Sequence, residues 1–162
     1  MTDKDEFCRL IRTNEKAMYY LAFSLVRNDA DAAEIISESI FRGYKNMESL
    51  KSTDAFKTWI LRIVHNTAVE TIRKNSKVIF LDEIDHLAYN NDNSLTTSIS
   101  LKQAIEKLKP DYRTAIILYY YEDLSISDIS KITNSSIATV KQRLSRGRKH
   151  LREILKEDYD SE

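Results

Sequence analysis

The chain has 162 residues, its 25 basic and 25 acidic side chains cancel to a formal net charge of zero, and 42% of it is apolar. That apolar share supports a packed core and argues against general disorder. Two glycines cannot build a phosphate-cradling loop, and the single cysteine, Cys8, can form neither an internal disulfide nor a cysteine zinc site.

Scarce glycine and proline, with repeating apolar positions, predict an all-α chain. The first helix runs from about Asp5 to Arg27, with Phe7, Leu10, Ile11, Met18, Leu21, Ala22 and Leu25 on its apolar side. Asn28 caps a second helix and places Asp31 near the positive end of its dipole. This helix reaches about Asn46 and carries Ile35, Ile36, Ile40, Phe41 and Tyr44 as its apolar residues. A polar loop, MESLKST, leads to a third helix from about Asp54 to Lys74. There Phe56, Ile60, Ile63, Val64 and Thr67 share a core face, while Arg62, Asn66, Val69 and Arg73 share another. Lys57, Lys74 and Lys77 add positive charge nearby. Trp59, set among apolar neighbours at helical spacing, reads as structural rather than as a base-stacking platform.

After Asn75 the periodicity fails, and NNDN is a strong breaker, so residues 76–96 read as a flexible acidic linker. The expected architecture is two small helical domains, 1–75 and 97–162, on that tether. Asp82, Glu83 and Asp85 lack the ligand cluster a metal needs. His65, His86 and His150 have no metal-like spacing and read as surface or DNA-proximal. No metal, cofactor, small-molecule substrate or catalytic group is expected. Without a signal-peptide pattern or a bilayer-length apolar run, the expectation is a cytoplasmic protein with no membrane insertion.

In the second domain, SISLKQAIEKL forms one helix and Pro110 opens another at its favoured first-turn position. A helix-turn-helix follows. Ser125 with Asp128 starts its first helix, Asn134 takes the left-handed turn, and Ser136 caps the long basic helix. On that helix Ile137, Val140, Leu144, Gly147 and Leu151 lie on one narrow face. Ala138, Thr139, Gln142, Ser145, Arg146 and Lys149 lie opposite, flanked by Lys141, Arg143 and Arg148. Short side chains allow close approach to a major groove, Gln and Arg read base edges, and flanking cations take phosphates. The neutral total therefore conceals a strongly basic local footprint.

The order of these parts resembles a bacterial RNA polymerase sigma factor of the extracytoplasmic-function group, which keeps only the second and fourth conserved sigma regions. DAAEIISESIFRGYKN (residues 31–46) resembles the segment that grips the core enzyme. FKTWILRIVHNTAVETIRK (residues 56–74) resembles the promoter-melting and −10-reading helix, and TVKQRLSRGRKHLR the −35 reader. The resemblance implies polymerase contacts by Asp31, Glu34, Ile35, Ser37 and Glu38. It implies −10 recognition by the Asn46–Asp54 loop, including Ser49, and by Arg62, Asn66, Arg73 and Lys74. Its −35 contacts fall on Lys141, Gln142, Ser145 and Arg146, joined by Ser136, Thr139, Arg143, Arg148 and Lys149 of the same surface. In the family the linker threads the RNA exit path. The implied partners are core RNA polymerase, promoter DNA and an anti-sigma factor. A duplex-binding regulator that works without core polymerase, or a helical protein-binding adaptor, are the alternatives that purified core polymerase discriminates.

Overall fold

The structure, a computed structural model, describes residues 3–78 and 100–160, and every regular element among them is helical. Helix α1 (Lys4–Val26) starts on Asp3, whose side chain accepts the Glu6 N–H at 2.8 Å. It ends where Arg27 turns left-handed at φ 53°. Helix α2 (Asp29–Lys45) begins on Asn28 as the sequence implies, with the Asp31 N–H 3.0 Å from the asparagine Oδ1. Two 3₁₀ turns, Met47–Ser49 and Thr53–Ala55, carry the chain into α3 (Phe56–Val78).

Helix α3 continues through residues 76–78, which the sequence reading assigned to the linker. Neither glycine nor proline interrupts it there, and Ser76 Oγ bonds back to the Arg73 carbonyl at 2.9 Å. The rest of the expected linker, residues 79–96, lies outside the described residues.

Phe7, Met18, Leu21, Ile35, Ile60 and Val64 fill the core of this three-helix unit. Phe41 and Tyr44, expected on the apolar side of α2, are instead 56% and 45% exposed. The buried stripe is Ala32, Ile35, Ser39 and Gly43, mostly small residues that let α3 come close. A Cβ at Gly43 would stand 3.0 Å from Ile60 Cδ1, so a larger residue there would push on Ile60, and the large side chains of α2 turn outward.

The second unit opens with α4 (Leu101–Glu106), capped reciprocally by Ser100 and Gln103. Helix α5 (Pro110–Ile116) has its proline in the first turn and runs into a π-helical turn over Ile117–Tyr121. Helices α6 (Ile126–Thr133) and α7 (Ile137–Asp160) form the helix-turn-helix pair. Ser125 accepts the Asp128 N–H at 3.0 Å, Asn134 is left-handed at φ 53°, and Ser136 accepts the Thr139 N–H at 3.1 Å. Ile137 is 49% exposed, so the buried stripe of α7 begins one turn later than its periodicity suggests, at Val140 and Leu144. Helix α5 crosses α7 at Gly147, where a Cβ would meet Ile116 Cγ1 at 3.1 Å.

The two units touch directly: α3 packs along α6, and α1 packs against α5. The seam is polar at its centre. Arg113, only 4% exposed, donates from Nε to the Ser24 carbonyl at 2.6 Å and from Nη1 to the Leu108 carbonyl at 2.8 Å. Arg27 reaches the Glu106 carbonyl at 2.6 Å, and Ser24 Oγ lies 3.1 Å from Thr114 Oγ1. Lys57 pairs with the Glu122 carboxylate at 3.2 Å.

His65 sits at this seam with a buried Nδ1 that has no hydrogen-bond partner, which corrects its reading as a surface residue. Its pKa is lowered, first by burial and then by the Arg143 guanidinium, with Asp111 opposing. A single face of α3 therefore serves the inter-unit contact, which no alternation within one helix reveals.

Replacing Arg113 with Met keeps the apolar stem but strands the Ser24 and Leu108 carbonyls. The expected loss is about 2–4 kcal/mol, measured by urea denaturation. For His65 the packed form binds fewer protons than the unfolded chain. Its contribution is therefore intact above the ordinary value of 6.5 and is lost as pH falls below it. Urea midpoints followed downward through that value should drop in the parent and drop less in His65→Gln.

Candidate nucleic-acid interface

Val140, Leu144 and Gly147 bind α7 to the unit, leaving the opposite face outward. Lys141, Gln142, Ser145, Arg146 and Lys149 are all exposed, and none has a side-chain hydrogen bond or ion pair among the described residues. Five uncommitted donors on one helix face are available to an outside partner. The other members of the predicted surface are already engaged. Ser136 Oγ bonds Thr139 Oγ1 at 2.8 Å as well as capping the helix. Arg143 is half-buried, bonding Ser135 Oγ at 2.8 Å and facing Asp111 at 3.8 Å. Arg148 bonds the Tyr120 hydroxyl at 3.1 Å, which leaves most of its fork exposed.

Along α3, Arg62, Asn66 and Arg73 form one exposed stripe, as periodicity predicts, with no side-chain hydrogen bond or ion pair among the described residues. Lys74 does not belong to it. That lysine lines the groove between α2 and α3, where its charge acts on Glu70. In the loop before α3, Asn46 is exposed, donates from Nδ2 to the Arg42 carbonyl at 2.8 Å, and keeps Oδ1 unengaged. Ser49 is also exposed, but its hydroxyl donates to the Asn46 carbonyl at 2.7 Å and accepts from Trp59 Nε1 at 3.1 Å.

The α2 face is acidic. Glu34, Ser37 and Glu38 are exposed along the α2–α3 groove, a cavity of about 690 Å³, and Asp31 is half-exposed one turn earlier. Ile35 is only 1% exposed and packs inward, so it supports this surface and cannot form part of it. The sequence reading missed Arg42, which ties the groove together: its guanidinium meets Glu38 at 3.1 Å and Glu70 at 2.8 Å. That contact, the largest cause, lowers the Glu70 pKa and raises that of Arg42. The four-residue spacing of Glu38 and Arg42 was a legible signal. Glu70, on another helix, left none.

Among the described residues no group of His, Cys, Asp or Glu is placed to hold a metal, and no helix is long and apolar enough to cross a membrane.

Comparison with known proteins agrees with this geometry. Sigma-70 region 2 matches residues 10–78, and sigma-70 region 4 matches residues 98–151. The RNA polymerase sigma factor SigV of Bacillus subtilis is 33% identical over 97% of this chain and 96% of its own length. The ECF RNA polymerase sigma factor SigW of the same organism is 32% identical over 96% of the chain and 91% of its own. The sigma factor RpoE of Bartonella quintana, solved with the anti-sigma factor NepR, superposes with a TM-score of 0.73 over 93% of this chain and 97% of that one, at 23% identity. CnrH, solved with the cytosolic domain of CnrY, gives a TM-score of 0.67 at 18% identity over 96% of this chain and 91% of that one. The two likenesses in structure establish the fold, and the near-complete match to SigV and SigW, with both sigma regions in order, establishes the family. The chain belongs to the extracytoplasmic-function group of sigma-70 RNA polymerase sigma factors.

Proposed function

We propose that this sigma factor reads its promoter with two separate surfaces and grips core polymerase with a third. Lys141, Gln142, Ser145 and Arg146 take the major groove at −35, with Arg148 and Lys149 on phosphates. Ser136 and Thr139 present the first turn of α7 to the backbone, where helix N-termini favour anions. Arg143 reaches a phosphate only by leaving Asp111. The Asn46–Asp54 loop captures an unpaired −10 base, and Arg62, Asn66 and Arg73 hold the strand beside it. Rebinding a flipped base offsets the few kcal/mol that unstacking costs. Asp31, Glu34, Ser37 and Glu38 face the polymerase.

The observation that carries this reading is the division of cations. Arg27, Arg42, Lys57 and Arg113 are committed within the protein, while those of the α7 face are not. The chain does no covalent chemistry of its own, and it works where the polymerase does, in the cytoplasm. An anti-sigma factor is a further partner, supported by the structural neighbour RpoE, solved with the anti-sigma factor NepR. Transcription from a defined promoter by purified core polymerase, strictly dependent on this chain, tests the whole proposal. A repressor or an adaptor would bind DNA or protein without producing that dependence.

Arg146→Ala should weaken cognate −35 binding by about 1–3 kcal/mol and relax preference at one position. Arg148→Ala should weaken binding to every sequence and reduce the salt slope by about one. Equal losses on cognate and scrambled duplexes would reassign Arg146 to a phosphate.

Glu34 is the cleaner probe of the polymerase surface, because Glu38 is already paired with Arg42. Glu34→Lys should reduce association with core polymerase in a competition assay while leaving thermal stability and −35 duplex binding unchanged. Undiminished association would remove the groove from the interface.

A further inference from the structure

Loop 46–54 is exposed and irregular, yet it is fastened at defined points. Met47 and Leu50 pack against the core, and Ser52 accepts the Asp54 N–H at 3.2 Å. The remaining fastening is polar and comes from α3. Trp59 lies against Phe56 with ring centroids 5.7 Å apart, and its indole edge stands 3.5 Å from where a Gly43 side chain would begin. The indole thus lies alongside Gly43, in ordinary contact distance, and its Nε1–H donates to Ser49 Oγ, 3.1 Å away. Ser49 passes the restraint on, donating its only hydroxyl proton to the Asn46 carbonyl at 2.7 Å. Asn46 in turn bonds the end of α2 through the Arg42 carbonyl.

We infer that Trp59 and Ser49 are positioning residues that set the shape of the base-capturing loop, and that Ser49 donates no hydrogen bond to the base itself. This rests on the assignment of loop 46–54 to an unpaired base made above. A serine has one proton to give, and here Asn46 already takes it. Asn46 is different: one of its two Nδ2 protons is committed, its side chain is exposed, and Oδ1 has no hydrogen-bond partner among the described residues. The chain Trp59–Ser49–Asn46 therefore fixes where that acceptor stands. Preference for one base over another depends on the position of such a group to within fractions of an ångström. A loop freed from Trp59 would still bind single strands through its neighbouring cations, with the base preference blurred.

The probe is a panel of four single-stranded oligonucleotides spanning the −10 element and differing only at the captured base, bound by full-length chain in complex with core polymerase. The parent should separate the best from the worst base. Trp59→Phe keeps a ring against Phe56 and removes the N–H, and Ser49→Ala removes its acceptor. Each should shrink that ratio by about five- to tenfold, the size of one lost net hydrogen bond. Affinity for the poorest base, polymerase association and thermal midpoint should stay close to parental. The double variant should be no worse than either single one, because both cut the same link. Ser49→Thr, which keeps the hydroxyl, should restore discrimination.

A parental ratio in both single variants, or additive losses in the double variant, would overturn the positioning role. An equal loss for all four bases would also overturn it, by making Trp59 a general support of the fold. A parent that does not discriminate among the four bases would instead refute the assignment of the loop itself.

Discussion

A buried cation holds the two halves of this protein against each other. Arg113 has no carboxylate within ion-pair distance among the described residues, and its charge is met by backbone carbonyls. Ser24 contributes one of the last carbonyls of α1, where unsatisfied oxygens and the helix dipole concentrate partial negative charge. The Leu108 and Glu106 carbonyls supply the rest, at 2.8 and 3.2 Å. Burial lowers the guanidinium pKa to about 10, which still leaves it charged near neutrality. A planar fork can serve three carbonyls in different directions, which a lysine ammonium on a flexible stem does far less well. Once α5 is fixed on α1, Ile116 on the far side of α5 meets Gly147 of α7. The long basic helix is thereby placed relative to the first unit through α5, and a second time through α6, which packs along α3.

Charge is distributed by surface rather than by total. Acidic residues collect on the α2–α3 groove, where Arg42 bridges Glu38 and Glu70. Basic residues collect on the outward face of α7, where Lys141, Arg146 and Lys149 have no ion pair among the described residues. A chain with zero net charge can thus present one face that suits a cationic patch of a protein and another that suits a polyanion. Each long-range field is local, so the two need not cancel at a binding site.

What the sequence made legible was whatever rests on local chemistry. Caps at Asn28, Ser125 and Ser136 and the left-handed Asn134 are decided by a few neighbouring atoms, and all four are found. The outward face of α7 follows from helical period alone. Errors arose where a second element chooses between faces. Phe41 and Tyr44 look apolar, but the close approach of α3 selects Gly43 and Ala32 for burial. Ile35 looks like a surface contact by alignment to a motif and is core. Lys74 is near Arg73 in the chain, yet it is rotated into the groove. The π-helical turn and the seam at Arg113 and His65 depend on residues some 80–90 positions apart or on packing irregularity, and no local pattern encodes them.

The seam also sets a length. Promoter elements named −35 and −10 lie about 25 base pairs apart, or roughly 85 Å along a duplex rising 3.4 Å per step. Helix α3 lies against α6, the immediate partner of α7, so the two units are held in contact rather than spread along such a length. A duplex with a persistence length of about 150 base pairs does not fold back over such a short span without large cost. Arg113 ties the two units together, and parting them would strand the Ser24 carbonyl and the guanidinium Nε at once.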